Sequence, residues 1–423
     1  MPDNRSLPTI WVSLMLSSLV WADQDWPQWR GPHRDGKSSE TGIIDEFTSA
    51  GPPLLWEAKE LGSGYSSVSV ADGRIFTLGR RGDAEQLIAV DEQDGREIWA
   101  ADVGDGGHSN GTPTVDGQRV YVIGLNGNLI CADTSSGDVI WRRDFKSDFG
   151  GKMMSGWGYS ESPLVDGNRL VCTPGAQDAM IVALDKHTGK EIWRAPVPDF
   201  GSRGQDGAGY SSIVISEGAG VKQYIQMTGR GVIGLRSRDG KFLWGYNDVA
   251  NDTANIPTPI VSGEHVFCST GYGAGAALLK MTKVGNGIVV EEVYFLDAKT
   301  FQNTHGGMIL VGDHVYAGTQ HNQGFPVCIA LKTGHIAWGG EQRGPGTGSA
   351  AITFADGKLV FRYQDGVVAL IDATNEEYRL RGSFKPAYQK DNSWAHPVIA
   401  KGRLYLREQD RLMCYDVTAH TEK

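Results

Sequence analysis

The stretch Ile181–Trp193, IVALDKHTGKEIW, has several copies in the chain and decides the fold. An apolar alternating segment leads into a Gly-containing turn, and a second alternating segment ends in Trp. Gly tolerates the positive φ of a tight hairpin turn, so the stretch predicts two antiparallel strands. The copies are LIAVDEQDGREIW (Leu87–Trp99), LICADTSSGDVIW (Leu129–Trp141), VIGLRSRDGKFLW (Val232–Trp244) and the shorter CIALKTGHIAW (Cys328–Trp338).

A second pattern precedes these copies and supplies two more strands per unit, as in TPTVDGQRVYVIG and SPLVDGNRLVCTP. Four short strands with a period of about 40 to 50 residues are typical of a propeller blade. We therefore predict an all-β, eight-bladed β-propeller of four-stranded antiparallel blades. The units begin near Ser66, Gly111, Ser162, Tyr210, Pro257, Gly307, Ser349 and Ala395. The Trp residues expected to wedge between blades are Trp56, Trp99, Trp141, Trp193, Trp244 and Trp338.

The two ends of the predicted propeller, residues 52–423, complement each other. The eighth unit ends in RLMCYDVTA without a fourth strand, whereas PPLLWEAK (Pro52–Lys59) stands alone before the first unit. We expect this N-terminal strand to complete the last blade, which removes an exposed sheet edge. Blades five and seven end in EEVYFLD and YRLRGSF, so we expect them to keep the strand and to lack the wedge.

The first residues have the pattern of an export signal. A positive charge at Arg5 precedes the apolar run TIWVSLMLSSLVW, and Val20-Trp21-Ala22 fits a cleavage site. We expect residues 1–22 to be removed and the mature chain to be periplasmic or extracellular, without an integral membrane segment. The alternative is an uncleaved N-terminal anchor. Residues 23–51 are expected to form an extended segment packed on the propeller, with Trp26 and Trp29 as anchors.

Composition narrows the classes of partner. The formal net charge is −10 and no basic run of five occurs, which argues against nucleic acid. The five Cys are far apart in apolar strand patterns, without CxxC or CxxCH, so we expect buried thiols and no attached haem. We expect a monomer that binds a protein or a small polar ligand.

The best copy of the repeat carries a recognisable motif. Ala183, Asp185, Thr188, Gly189 and Trp193 have the spacing A-x-D-x-x-T-G-x-x-x-W. This resembles the tryptophan-docking motif of pyrroloquinoline quinone (PQQ) repeat propellers, and the match recurs over almost the whole chain after residue 22. Other copies depart from it, with Cys131 for the first Ala and Arg236 for the Asp.

The resemblance implies two kinds of relative. One is the quinone- and Ca²⁺-dependent dehydrogenases of alcohols and sugars, and the other is the non-catalytic scaffold of outer-membrane β-barrel assembly. The chain has no adjacent Cys-Cys pair and no haem motif, both of which occur in dehydrogenases of this kind. The motif itself is structural and implies no quinone contact.

A propeller binds ligands most often at the mouth of its central channel, so the loops that lead into the innermost strands are the candidate site. One of them, GWGYSESP at Gly156, shares Gly-Tyr-Ser with GYSSVSV at Gly64 and GYSSIVI at Gly209. The shared residues can be packing alone, but polar and aromatic side chains from distant loops would converge there. The candidates are His108, Asn110, Trp157, Tyr159, Glu161, Gln205, Asp206, Tyr210, Asn255, His305, His321, Trp394 and His396.

Two functions are open at this point. The first is a binding or scaffold module for a protein or small polar ligand at the mouth. The alternative is a PQQ- and Ca²⁺-dependent dehydrogenase, for which Glu161 and Asp206 are the candidate catalytic carboxylates and Asn255 a further oxygen ligand. Trp157 or Trp394 would then stack on the quinone. The four His come from blades two, six, six and eight, so we predict no metal centre made of them.

Overall fold

The computed structural model describes residues 25–419, which form eight four-stranded antiparallel sheets. The eight-bladed propeller predicted from the repeat is confirmed. The predicted export signal, residues 1–22, lies outside the described residues. Within residues 25–419, no helix is both long enough and apolar enough to cross a membrane.

The strands of the first four blades, and the single strand that precedes them in the chain, have the following bounds. Strand β1 (Leu54–Ala58) comes first. Blades one to three contain β2 (Ser69–Ala71), β3 (Arg74–Arg81), β4 (Ala84–Asp91), β5 (Glu97–Asp105), β6 (Thr114–Asp116), β7 (Arg119–Ile123), β8 (Asn128–Asp133), β9 (Val139–Asp144), β10 (Leu164–Asp166), β11 (Arg169–Cys172), β12 (Ile181–Asp185) and β13 (Glu191–Ala195). Blade four contains β14 (Val214–Ser216), β15 (Gln223–Thr228), β16 (Gly231–Arg236) and β17 (Phe242–Tyr246). One short helix, α1 (Phe145–Phe149), follows β9.

The second half continues the pattern. Blades five to seven contain β18 (Ile260–Ser262), β19 (His265–Thr270), β20 (Gly275–Val284), β21 (Gly287–Leu296), β22 (Met308–Val311), β23 (His314–Thr319), β24 (Phe325–Ala330), β25 (Ile336–Gly339), β26 (Ala350–Ala355), β27 (Lys358–Tyr363), β28 (Val368–Asp372) and β29 (Leu380–Phe384). Blade eight contains β30 (Val398–Ala400), β31 (Arg403–Glu408) and β32 (Arg411–Asp416). Two 3₁₀ turns, Gly218–Gly220 and His321–Gln323, interrupt loops of blades four and six.

The ring closes as the sequence predicts. β1 pairs antiparallel with β32, with Trp56 opposite Cys414, and becomes the outer strand of blade eight. The buried Arg407 on β31 then crosses the seam and donates Nη2 hydrogen bonds to the carbonyls of Leu61 and Gly62 at 3.0 and 2.8 Å. The closing blade is therefore held by side-chain contacts as well as by the strand pair.

Five of the six repeated Trp residues dock on the hairpin turn of the next blade, whereas Trp244 donates its Nε1 hydrogen bond to Gln223 of its own blade. Trp99 donates its Nε1 hydrogen bond to the Thr134 carbonyl at 3.1 Å, and its ring covers Gly137. A Cβ at Gly137 would lie 2.6 Å from that ring, and its φ is +79°. Both the close approach and the left-handed backbone require Gly in the turn.

Blade five keeps the strand and has no Trp wedge, as expected, but a tyrosine takes the place of the Trp. Tyr294 on β21 lies opposite Leu278 in the register where other blades have Trp, and its hydroxyl donates to the Leu331 carbonyl at 2.7 Å. A phenol can reach the same carbonyl position because it has an apolar ring with a polar tip. In blade seven the corresponding residue is Gly382, which lies two residues before Phe384, the partner of Val368, so the Trp wedge is lost there as predicted.

All five Cys are free and buried, as the apolar strand patterns predict. Cys131, Cys172, Cys268, Cys328 and Cys414 lie on strands inside the hydrophobic clusters that fill the space between blades. Each therefore acts as a small apolar core residue.

Candidate functional site

The loops that lead into the innermost strands, here called the mouth loops, surround a cavity of about 690 Å³ at one end of the channel. This volume lies within the range of small-molecule pockets. Of the residues singled out from the sequence, the structure brings together seven in its wall: His108, Asn110, Trp157, Tyr210, His305, Trp394 and His396. These side chains come from blades two, three, four, six and eight.

Aromatic rings line one side of this mouth cavity as a connected wall. Trp394 stacks on His305 with 4.3 Å between ring centroids and an interplanar angle of 8°. Trp394 also contacts Tyr65, with 4.7 Å between ring centroids, and the Tyr65 ring in turn lies 5.8 Å from His108. The Trp394 Nε1 donates to Gln364 at 3.1 Å, which fixes the indole. The wall thus presents fixed flat apolar faces.

Two imidazoles in the cavity are held in their neutral form. Burial lowers the pKa of His305 to about 4 and that of His396 to about 3. Nearby positive charge adds to the effect, since Arg30 lies close to His396. A neutral imidazole can donate through one ring nitrogen and accept through the other. At neutral pH these rings therefore contribute hydrogen-bonding capacity and apolar surface without charge.

The floor of the cavity comes from the chain before β1. This N-terminal segment, residues 25–47, crosses the channel and hydrogen-bonds to blades on several sides of it. The bonded pairs are Trp26–Val70, Pro27–Val115, Arg34–Ser162, Ser38–Phe354 and Glu40–Gly402. A second cavity of about 410 Å³ lies on the other side of the segment, and Arg30 lines both. The N-terminal segment therefore separates the two ends of the channel.

Two side chains of this segment belong to the mouth cavity, Trp29 and Arg30. Trp29 packs edge-on against His396 at 4.5 Å and its Nε1 donates to Thr258 at 3.4 Å. The sequence interpretation treated Trp29 as a packing anchor and did not single out Arg30. The run WPQWRG, which places an aromatic residue beside a cation, is the one sequence feature that could have indicated a role for Arg30. The position of this run over the channel depends on tertiary contacts, which the repeat pattern does not reveal.

Further lining residues were not singled out from the sequence. Tyr65 and Ser212 come from mouth loops of the Gly-Tyr-Ser type, and Tyr272 and Asn322 come from loops after second strands. Tyr272 packs edge-on against the His321 ring at 4.6 Å, which places His321 behind the cavity wall. His321 also hydrogen-bonds to Thr304, another lining residue, at 2.8 Å. The rim on this side is thus a layer of aromatic and amide groups.

Glu161 and Tyr159 do not line the cavity, although they follow Trp157 in the same loop. Glu161 is buried and accepts hydrogen bonds from the Thr173 backbone N–H at 2.7 Å and hydroxyl at 2.8 Å. Burial raises its pKa to about 8. Tyr159 packs on Phe145 and donates its hydroxyl to the Pro174 carbonyl at 2.8 Å. Both side chains join the loop to blade three.

Asn255, Gln205 and Asp206 also lie outside the cavity wall. The fully buried Asn255 amide donates to the carbonyls of Thr228 and Gly229, both at 3.0 Å. Asp206 forms an exposed ion pair with Arg230 at 2.7 Å. The positions that these residues occupy in the sequence are close to the mouth, but their hydrogen bonds hold them in the blade framework.

The donor set does not fit a Ca²⁺-bound quinone. Ca²⁺ takes six to eight oxygen ligands, usually with carboxylates among them. The described residues that line the mouth cavity include no Asp or Glu. Glu161 and Asn255 are engaged in the framework, and Asp206 is remote from them. Nor does any cluster of three His, Cys, Asp or Glu suited to a metal occur between residues 25 and 419.

Comparison with known proteins places the chain among PQQ-like propellers. It is 29% identical over 225 residues to the outer membrane protein assembly factor BamB of Kangiella koreensis, covering 50% of this chain and 47% of that protein. It is 26% identical over 194 residues to a quinohemoprotein alcohol dehydrogenase of Pseudomonas putida, covering 42% of this chain and 26% of that protein. The matches thus span less than half the length of these curated relatives.

Solved structures agree on the fold. The crystal structure of quinohemoprotein alcohol dehydrogenase from Comamonas testosteroni has a TM-score of 0.63 at 14% identity, covering 94% of this chain and 81% of that chain. BamB from Moraxella catarrhalis gives 0.61 at 14% identity, covering 86% and 99%. The family described as outer membrane protein assembly factor BamB matches residues 40–123 and 83–340. The chain therefore belongs to this family of PQQ-like repeat propellers.

Proposed function

We propose that this protein is a ligand-binding propeller that takes a small organic molecule, with a flat apolar face and polar substituents, in the mouth cavity. The observation that carries the proposal is the convergence of Trp29, Tyr65, Trp157 and Trp394 on one cavity from four separate parts of the chain. Fixed aromatic faces with a few polar groups are the usual composition of a small-molecule site.

The shape of the cavity favours a small molecule over a protein surface. The N-terminal segment lies below the cavity, so a ligand that enters from the mouth would contact this segment and the side chains of the mouth loops around it. Asn322 makes no side-chain hydrogen bond within residues 25–419, and Asn110 uses only its amide nitrogen, on the Trp157 carbonyl at 3.2 Å. These amides are available to polar substituents of the ligand.

A dehydrogenase function has less support. Relatives named as alcohol dehydrogenases match this chain at 26% identity or less, and the curated one is matched over only 26% of its length. The two carboxylates that such a reaction would use here, Glu161 and Asp206, do not face a common space. The pattern of residues 1–22 supports a binding role outside the cytoplasm, in keeping with relatives named as outer membrane assembly factors.

The test is a calorimetric titration of the purified protein with a panel of small molecules. The panel contains PQQ with and without Ca²⁺, bicyclic aromatic acids and amides, and neutral disaccharides. We expect saturable binding of at least one flat compound at tens of micromolar or better, without a requirement for Ca²⁺. Trp394→Leu should weaken that binding about tenfold or more, because it removes a stacking face.

The control is Ile192→Ala, which truncates an exposed apolar residue on the outer strand of blade three. Its affinity should equal that of the unmodified protein. The proposal fails if no flat compound binds, or if Trp394→Leu and Ile192→Ala bind equally well. Turnover of an alcohol or sugar with PQQ and Ca²⁺ would replace it by the dehydrogenase alternative.

A further inference from the structure

Arg30 differs from every other residue of the mouth cavity in its charge. Among the described residues that line the cavity, no other is a Lys, Arg, Asp or Glu. His305 and His396 are neutral at pH 7 because burial lowers their pKa values. The polar groups that remain are amides and hydroxyls. The cavity therefore carries a single positive charge in aromatic surroundings.

The Arg30 guanidinium has no carboxylate partner in the described part of the chain. Its Nη2 donates to two backbone carbonyls, of Asp35 at 3.1 Å and of Met308. The charge of Asp35 raises the pKa of Arg30, but the Asp35 carboxylate forms its ion pair with Lys37 at 2.9 Å and only its backbone carbonyl bonds to Arg30. Arg30 is only 4% exposed, and burial lowers its pKa to about 10, which leaves it charged at pH 7. Buried charges are normally paired, so an unpaired one is unusual.

Space for a partner exists beside this guanidinium. Its Nη1 makes no hydrogen bond within residues 25–419, and a Cβ placed on Gly307 would lie 3.6 Å from it. The same Cβ would lie 3.0 Å from the His396 ring, and the φ of Gly307 is +75°. Gly at this position therefore keeps the floor open around Arg30. The buried Nδ1 of His396, close by, has no hydrogen-bond partner either.

A charge in this setting discriminates strongly between ligands. Hydrogen bonds between a guanidinium and a carboxylate are roughly twice as strong as neutral ones, and low polarity around them increases the attraction. A cationic ligand would be repelled, and a neutral one would leave the guanidinium unpaired. An anion would supply the missing counter-charge.

We propose that the mouth cavity selects a flat organic anion whose carboxylate, or similar group, pairs with Arg30 at the floor while its ring lies against the aromatic wall. This inference rests on the proposed function and names its ligand class. The N-terminal segment is then part of the binding site, since it supplies the residue that determines specificity.

The test compares two probes of nearly equal shape, 2-naphthoate and 2-naphthamide, by calorimetric titration of the full chain. We expect the anion to bind about tenfold or more tightly than the amide. In Arg30→Met the advantage should disappear, mainly through weaker binding of 2-naphthoate. Arg30→Lys should keep part of it, since the charge remains and the planar fork is lost.

Arg34→Met is the matched control. Arg34 is equally buried on the same segment and bonds to the carbonyls of Ser162 and Pro163, but it does not line the mouth cavity. Arg34→Met should lose about as much stability as Arg30→Met and should keep the preference for 2-naphthoate over 2-naphthamide. Equal affinities of the two probes, or a preference that survives in Arg30→Met, would overturn the inference and leave the proposed function intact. If neither probe binds to the unmodified protein, the inference fails, and the proposed function fails with it only when no other flat compound of its panel binds.

Discussion

Two sets of tryptophans show how this molecule divides architecture from recognition. The docking tryptophans, on the outer strands, include Trp99, Trp141 and Trp244, and each occupies the same register of its blade. The cavity tryptophans are Trp29, Trp157 and Trp394, and each occurs once. Trp244 is 4% exposed, whereas Trp157 is 55% exposed. The docking tryptophan is repeated in most blades, whereas each cavity tryptophan stands at a position that the repeat does not conserve.

The Gly-Tyr-Ser loops show the same division within one motif. Tyr65 and Tyr210 line the mouth cavity, while Tyr159 packs beneath its own loop. The repeated letters therefore mark the approach to an innermost strand, and the neighbours of each loop decide where the ring lies. In GWGYSESP the residue that the other two Gly-Tyr-Ser loops lack is Trp157. Its ring packs edge-on against Tyr210 at 6.0 Å and lines the cavity.

The largest expected effect comes from removing a docking tryptophan. Trp244→Ala should lower the free energy of unfolding by about 3–5 kcal/mol, since it empties a buried interblade space. It also leaves the Gln223 side chain without the Nε1–H donor that reaches it at 2.8 Å. Urea unfolding followed by circular dichroism measures this change. The affinity for 2-naphthoate, in the fraction that remains folded, should be unchanged.

Trp394→Leu should instead weaken ligand binding strongly and lower stability only slightly. Its cost to stability should be about 1–2 kcal/mol, because it loses ring contacts with His305 and Tyr65 but keeps apolar volume. Its affinity for 2-naphthoate should fall about tenfold or more. If the two variants lose stability and affinity in the same proportion, the division between the two sets is not real.

Glu161 provides a test by pH within the loop that carries Trp157. A carboxyl with a folded pKa of about 8 stabilises the protein fully below its unfolded pKa, about 4.5, and this contribution is lost as pH rises to 8. Glu161→Gln cannot titrate, so its stability relative to the unmodified protein should grow by up to about 1.4 kcal/mol per pH unit across that window. Unfolding at pH 5, 6.5 and 8 measures the trend.

Glu191→Gln, at an exposed position, is the control for this series. The difference in unfolding free energy between this variant and the unmodified protein should vary much less with pH. A difference for Glu161→Gln that stays constant from pH 5 to 8 would show that Glu161 is ionised in the folded protein. In either case 2-naphthoate affinity should be the same in Glu161→Gln as in the unmodified protein, since Glu161 does not line the cavity.

The smallest effect is expected at the substituted wedge. Tyr294→Trp restores the repeated residue in blade five, where the phenol already donates to the Leu331 carbonyl. An indole Nε1–H can make the equivalent bond, as Trp338 does to the Thr374 carbonyl at 2.7 Å. The change in unfolding free energy should stay below about 1 kcal/mol in either direction. A loss of several kcal/mol would mean that Tyr294 is not equivalent to the docking tryptophans.

The sequence was informative wherever the structure is periodic. The blade number, the turns and the closing strand β1 follow from a pattern that appears many times. The mouth loops could be located for the same reason, which is why residues such as His305 and Trp394 were found. The orientation of Glu161 could not be found, because it depends on hydrogen bonds from Thr173, a residue that follows β11 and is twelve positions away in the sequence. Arg30 was missed because the path of the N-terminal segment follows no repeat.

The most direct test of the central claim is a crystal structure of the protein with 2-naphthoate bound. The account predicts the ligand in the mouth cavity, with its ring against Trp394 and its carboxylate within hydrogen-bond distance of Arg30. A naphthoate that binds outside this cavity, or that directs its carboxylate away from Arg30 toward solvent, would contradict it.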